Sequence, residues 1–127
     1  MTALKRLAVA AVAATIALGP LTTATAHDRY WRGEAIYYSD EFAGETMACG
    51  GAYRPRKMVA AHRKLPCGTK IRVKNRTNGR VVTVTVKDRG PFGDKDTIVD
   101  VSRRAARRLR FFDDGRTKVR VTVVHPD

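Results

Sequence analysis

Residues 70–88 constrain this chain more than any other stretch. "KIRVKN" sets Ile71, Val73 and Asn75 on one face against Lys70, Arg72 and Lys74 on the other. "RTNGR" follows, with the Asn-Gly pair that tolerates the left-handed backbone of a hairpin turn, and "VVTVTVKD" resumes the alternation. An isolated hairpin is marginal in water, so its apolar face must be covered by further strands or a helix. In the second run Val82, Val84 and Val86 share a face. Period two carries Asp88 onto that same face, with Lys87 and Arg89 turned away. The run ends on Gly90-Pro91, and aspartate before Gly-Pro is ordinary turn chemistry. The alternative is that the strand holds Asp88 at the rim of an apolar layer, where a carboxyl can do chemistry.

The remaining segments supply the cover. "YWRGEAIYY", residues 30–38, reads as a first strand with Gly33 as a bulge, and residues 39–58 as loops laid over the sheet. "MVAAH" is a short apolar step ending at His62, "LPCGT" a turn, and "TIVDV" a further strand. "SRRAARRLR" predicts a helix capped by Ser102, with Ala105, Ala106 and Leu109 as its buried stripe and its arginines as solvated charge or, alternatively, a face for a glycan or teichoic-type polymer. Asp100, just ahead of Ser102, is read as helping that cap. "TKVRVTVV" closes the chain as a strand with Val119, Val121 and Val123 inward. Many short strands and one short helix in a single domain argue for a mainly β fold, a small barrel.

The N-terminus reads as an export signal. "MTALKRL" is basic, "LAVAAVAATIALG" is an apolar run too short to span a bilayer comfortably, and "ATA" ends at Ala26 with a small-x-small pattern. The expected organisation is a signal peptide over residues 1–26 and one domain over 27–127. The formal charge of +13 loses Lys5 and Arg6 to leave +11 on that domain, which calls for an anionic partner or surface. Export argues against nucleic acid and for the cell wall or its surroundings, in the periplasm or outside the cell. No membrane anchor is expected. In an oxidising compartment the two cysteines, Cys49 and Cys67, predict one disulfide. His27, His62 and His125 show no metal-ligand spacing.

"AAHRKLPCGTKIRVKNRTNGRVVTVTVKDRGPF", followed by "IVDVSRRAARRL", resembles the rare lipoprotein A (RlpA) type of six-stranded double-psi β-barrel, shared with expansins and barwin-like proteins. The resemblance runs over about residues 33–124. It implies a peptidoglycan-active protein of the lytic transglycosylase class, with glycan strands as substrate and no metal or organic cofactor. The family's essential aspartate falls on Asp88 and its "AAH" histidine on His62. A family glutamate, in a "T-A-S-G-E-x-Y" segment matching "MACGGAY", is replaced by Gly51, and the usual asparagine before the aspartate is Lys87.

Lytic cleavage needs a proton for the leaving glycosidic oxygen and a base for the sugar's own 6-hydroxyl, which closes an anhydro ring. No water has to be activated, so a second carboxylate is not obligatory, unlike in ordinary glycoside hydrolysis. The expected catalytic pair is therefore Asp88 as acid and base with His62 as helper. Arg89, Tyr37, Tyr38 and Tyr53 are the expected substrate contacts, in a monomer. Two other readings carry different signatures: a non-catalytic, expansin-like wall binder, to which Gly51 points, and a basic inhibitor module of the barwin sort.

Overall fold

The computed structural model describes residues 30–125; the expected signal segment and its cleavage point ahead of His27 lie outside them. In chain order the elements are β1 (Tyr30–Tyr37), a 3-10 turn (Asp40–Phe42), β2 (Val59–Ala61), β3 (Lys70–Asn75), β4 (Val81–Asp88), β5 (Thr97–Val101), α1 (Arg103–Arg108) and β6 (Thr117–Val123). The strands close into a barrel in the order β1-β5-β2-β4-β3-β6, and β6 returns to β1. Two pairs are parallel, β1 with β5 and β2 with β4. This is the mainly β, six-stranded barrel with one short helix that the resemblance implies.

The valine alternation does what period two requires. Val73, Val84, Val99, Val101, Val119 and Val121 are buried inside, with Ile71 among them. These strands are mostly β-branched on the inward side and polar outward, with Val81 and Ile98 as outward exceptions, which fits a half-buried pleated surface. Asn75 is buried in this apolar setting and its polar atoms are all used. Its amide donates to the Leu109 carbonyl, and its oxygen accepts from the Thr77 amide and the Thr117 hydroxyl. Those bonds tie the hairpin to the end of α1. The helix itself is capped as expected, the Ser102 hydroxyl accepting from the Ala105 amide, and Ala105, Ala106 and Leu109 plug one end of the barrel.

Gly33 is needed for a different reason from the one expected. A Cβ there would sit 2.7 Å from the Asp96 carbonyl oxygen and 2.7 Å from Ile98 Cγ2, so β5 can approach only a glycine. The register break in β1 falls one step later, between Glu34 and Ala35. Outside the barrel, Tyr38, Met47, Tyr53, Val59 and Ala61 form a second apolar cluster. It is the underside of the 39–58 loops, packed on β2 as expected.

Candidate active site

The site begins at the far end of β4, where the alternation breaks. Strand β2 pairs Ala60 with Val86 but Ala61 with Asp88, so Lys87 is skipped in a bulge. Ala60 and Val86 belong to the barrel interior, whereas Ala61 belongs to the outer cluster with Tyr38. Asp88 follows Ala61. The placement of Asp88 on the Val82–Val84–Val86 face is thereby corrected: it lies on the outer side, over the second cluster.

There its carboxylate is held from three directions. Oδ1 accepts from the Ala48 amide at 2.7 Å and from the Arg89 amide at 2.9 Å. Oδ2 accepts from the Tyr38 hydroxyl at 2.6 Å. The Ala48 amide reaches it because the neighbouring Cys49 is bonded to Cys67 and donates its own amide to the Lys87 carbonyl. The disulfide thus clamps two loops over the end of β4 and aims a backbone donor at the acid. Burial and the bond to Asp88 raise the Tyr38 hydroxyl well above its ordinary ionisation range, so it remains a donor.

A second carboxyl lies one strand beyond. Ala61 pairs with Asp88 on one side and with Asp100 of β5 on the other. Two interstrand spacings put the acids about 10 Å apart by Cα, on either side of Ala61. Val99 and Val101 point inward, so Asp100 faces outward with Asp88. Burial, and then the charge of Asp88, push Asp100 from 3.8 up to about 7. Its Oδ1 is buried without a hydrogen-bond partner. The reading of Asp100 as a helix cap is corrected, since Ser102 fills that role. The signal for Asp100 in the sequence was its outward position within "TIVDV"; its neighbour across β2 could not be read from local pattern.

His62 follows β2 directly. Its amide donates to the Asp88 carbonyl at 3.1 Å. Its Nδ1 accepts from the amides of Lys64 and Leu65, which leaves the proton of the neutral ring on Nε2. Burial, with Arg89, Arg63 and Lys64 behind it, lowers its pKa and keeps the ring neutral. Trp31, 37 % exposed, meets that ring edge-on with centroids 5.9 Å apart. Phe92, in the loop after Asp88, is 76 % exposed. Phe92 was not among the expected substrate contacts; with Trp31, and with Phe42 against Tyr38, it is an aromatic left open beside the site.

Three of the expected contacts are engaged elsewhere. Arg89 spends Nη1 on the carbonyls of His62 and Leu65 and so braces the 62–67 loop. Arg63 answers by holding the carbonyls of Pro91, Asp94 and Thr97. Tyr37 turns away from Asp88, stacks on Phe112 and donates to its carbonyl. Tyr53 is buried under Tyr38, their rings 4.3 Å apart. Of the four, only Tyr38 reaches the acid through its side chain, and Arg89 does so through its backbone amide. Gly51 has φ +82 with open space where a side chain would stand, a backbone that a glutamate would adopt only under strain. Among the described residues no trio of His, Cys, Asp or Glu is gathered for a metal, and no helix is long and apolar enough to cross a membrane.

Comparison with known proteins bears on the family and the fold. Residues 31–121 match the model of a family described as lytic transglycolase. A probable endolytic peptidoglycan transglycosylase RlpA from Nostoc is 44 % identical over 96 residues, covering 74 % of this chain and 26 % of that protein. The endolytic peptidoglycan transglycosylase RlpA of Pseudomonas aeruginosa is 39 % identical over 94 residues, covering 74 % of this chain and 27 % of its own length. The chain therefore spans about a quarter of these relatives. Among solved structures, the Streptomyces papain inhibitor superposes with TM-score 0.62 at 25 % identity, over 77 % of this chain and 96 % of that one. The apo expansin of Clavibacter michiganensis gives 0.62 at 27 %, over 78 % and 52 %.

Proposed function

The chain belongs to the lytic transglycolase family, and on that premise we propose that it cleaves peptidoglycan glycan strands without water, leaving 1,6-anhydro ends. The observation that carries this reading is the pair of unlike carboxyls across Ala61, Asp88 wrapped by donors and Asp100 desolvated toward neutrality. Such a split is what separates acid from base roles in one site. The protonated Asp100 gives its proton to the glycosidic oxygen as the C1–O4 bond breaks. The 6-hydroxyl oxygen closes on C1, and the Asp88 carboxylate takes the hydroxyl proton. Atoms balance with no water consumed, and the two acids then exchange their protons with solvent.

The other groups position the strand. The Nε2–H of His62 is the donor offered to a sugar, and Trp31 and Phe92 offer apolar faces against which pyranose rings pack. Residues 1–26 serve as a cleaved export signal, which delivers the domain to the wall outside the cytoplasm.

The test is mass spectrometry of purified sacculi after incubation with the protein. Wild type should release anhydro-ended fragments, and Asp88→Asn and Asp100→Asn should each lower release by at least about 100-fold, as for a lost general acid or base. Normal release by both variants would sink the assignment. A wild type that binds sacculi and releases nothing would favour the non-catalytic, expansin-like reading, for which the specific observation is Gly51 in place of the family glutamate.

A further inference from the structure

Away from the carboxyl pair, a groove of about 760 Å³ runs between α1 and the opening of β4. Arg80, Arg104, Arg107, Arg108 and Arg110 line it, and no acidic side chain does. It opens at Val81, and Asp88 ends the same strand roughly 23 Å further along at strand rise, so the two places are separate. Among the described residues the ion pairs lie elsewhere, Asp40 with Arg103 and Glu34 with Arg116, each at 2.9 Å; Asp113 and Asp114 stand near Arg107 and Arg110 in an adjoining pocket without pairing to them.

Two of the five arginines are positioned by contacts that are not ion pairs. Arg104 is fixed by the Arg56 carbonyl, and Arg107 lies over the Phe112 ring at 4.1 Å, contacts that position a guanidinium and leave its charge uncompensated. The guanidiniums of Arg80, Arg108 and Arg110 have no partner among the described residues. The carboxyl end of a helix offers only about half a negative charge, too little to account for five cations. Arg110 adds an independent sign. It sits at φ +61 just past α1, the only non-glycine residue with positive φ among the described residues, where helices ordinarily place glycine. A cation thus stands at the groove on a backbone that L side chains rarely adopt.

We propose that this groove binds successive phosphates of an anionic phosphodiester polymer of the cell envelope. Arginine forks pair bidentately with phosphate oxygens. Arg104 to Arg110 also spans about 9 Å at helical rise, room for more than one anionic unit and more than a single small ion needs. The choice of an envelope polymer over nucleic acid rests on the exported, wall-acting reading above; the recognition chemistry stands on the groove alone.

Titration of the protein with poly(glycerol phosphate) tests it, using two triple variants that remove equal charge. Arg80→Gln/Arg108→Gln/Arg110→Gly removes three of the five groove cations, and the glycine relieves the strained backbone, so the variant should fold at least as well. Lys70→Gln/Arg72→Gln/Lys74→Gln removes three cations from the outer face of β3. The groove variant should bind the polymer about tenfold or more weakly, each lost phosphate contact contributing a factor of several, while the β3 variant stays within about twofold to threefold. Equal losses in both triples would reduce the effect to net charge and overturn the proposal. So would tighter binding to a polycarboxylate of the same length, to duplex DNA or to anionic phospholipid vesicles. Polymer binding by a protein that releases no anhydro ends would uphold the groove while failing the lytic reading.

Discussion

Asp100→Asn separates stability from chemistry in a single substitution. Burial and the charge of Asp88 hold the Asp100 carboxyl at about 7, against 3.8 for the unperturbed group. Between about pH 4 and pH 7 the unfolded chain has therefore lost a proton that the native state still binds. Native stability is undiminished below that window, falls through it, and loses nothing more above it. At 1.36 kcal/mol per pH unit the whole loss comes to about 4 kcal/mol, and a water reaching the orphaned Oδ1 would trim it. Asparagine keeps the shape and cannot ionise. Urea unfolding followed by the fluorescence of the single tryptophan, Trp31, at steps between about pH 5 and pH 8 measures both proteins. The variant should gain on wild type as pH rises, by on the order of 2–4 kcal/mol at the alkaline end, while releasing no anhydro product. Parallel pH profiles would show that Asp100 is not held protonated, and the assignment of acid and base would fail with it.

Tyr38→Phe keeps the ring stacked on Tyr53 but deletes the 2.6 Å bond to Asp88. It should cost about 1.5–3 kcal/mol in thermal or urea unfolding and slow product release. Reducing the Cys49–Cys67 bond, which closes a separation of 18 residues, should remove about 3 kcal/mol and loosen the Ala48 amide from Asp88. Product release should then fall even at temperatures where the reduced domain is still folded by circular dichroism. Gly33→Ala drives a methyl to 2.7 Å from the Asp96 carbonyl and should destabilise by about 1–3 kcal/mol; an unchanged melting temperature would contradict the close approach of β1 to β5.

Period two in β3, β4, β5 and β6, the Asn-Gly turn, and the Ser102 cap with its alanine stripe were all legible before any coordinates, because each depends on neighbours a few residues away. So were the barrel class and the cysteine pair; Asp88 was singled out through a family motif. What tertiary structure decided is how those pieces meet. The three-residue strand β2 is too short to announce its partners, yet it sits between β4 and β5 and makes neighbours of Asp88 and Asp100, 12 positions apart in sequence. The bulge that lifts Asp88 off the valine face arises from the register between two strands, a quantity neither strand contains alone. The same holds for Tyr53, an exposed-looking aromatic until Tyr38 covers it, and for Arg89, whose charge is taken up by the carbonyls of a distant loop. Local alternation follows from the geometry of one strand, whereas a site is set by the burial and fields of groups that only barrel closure brings together.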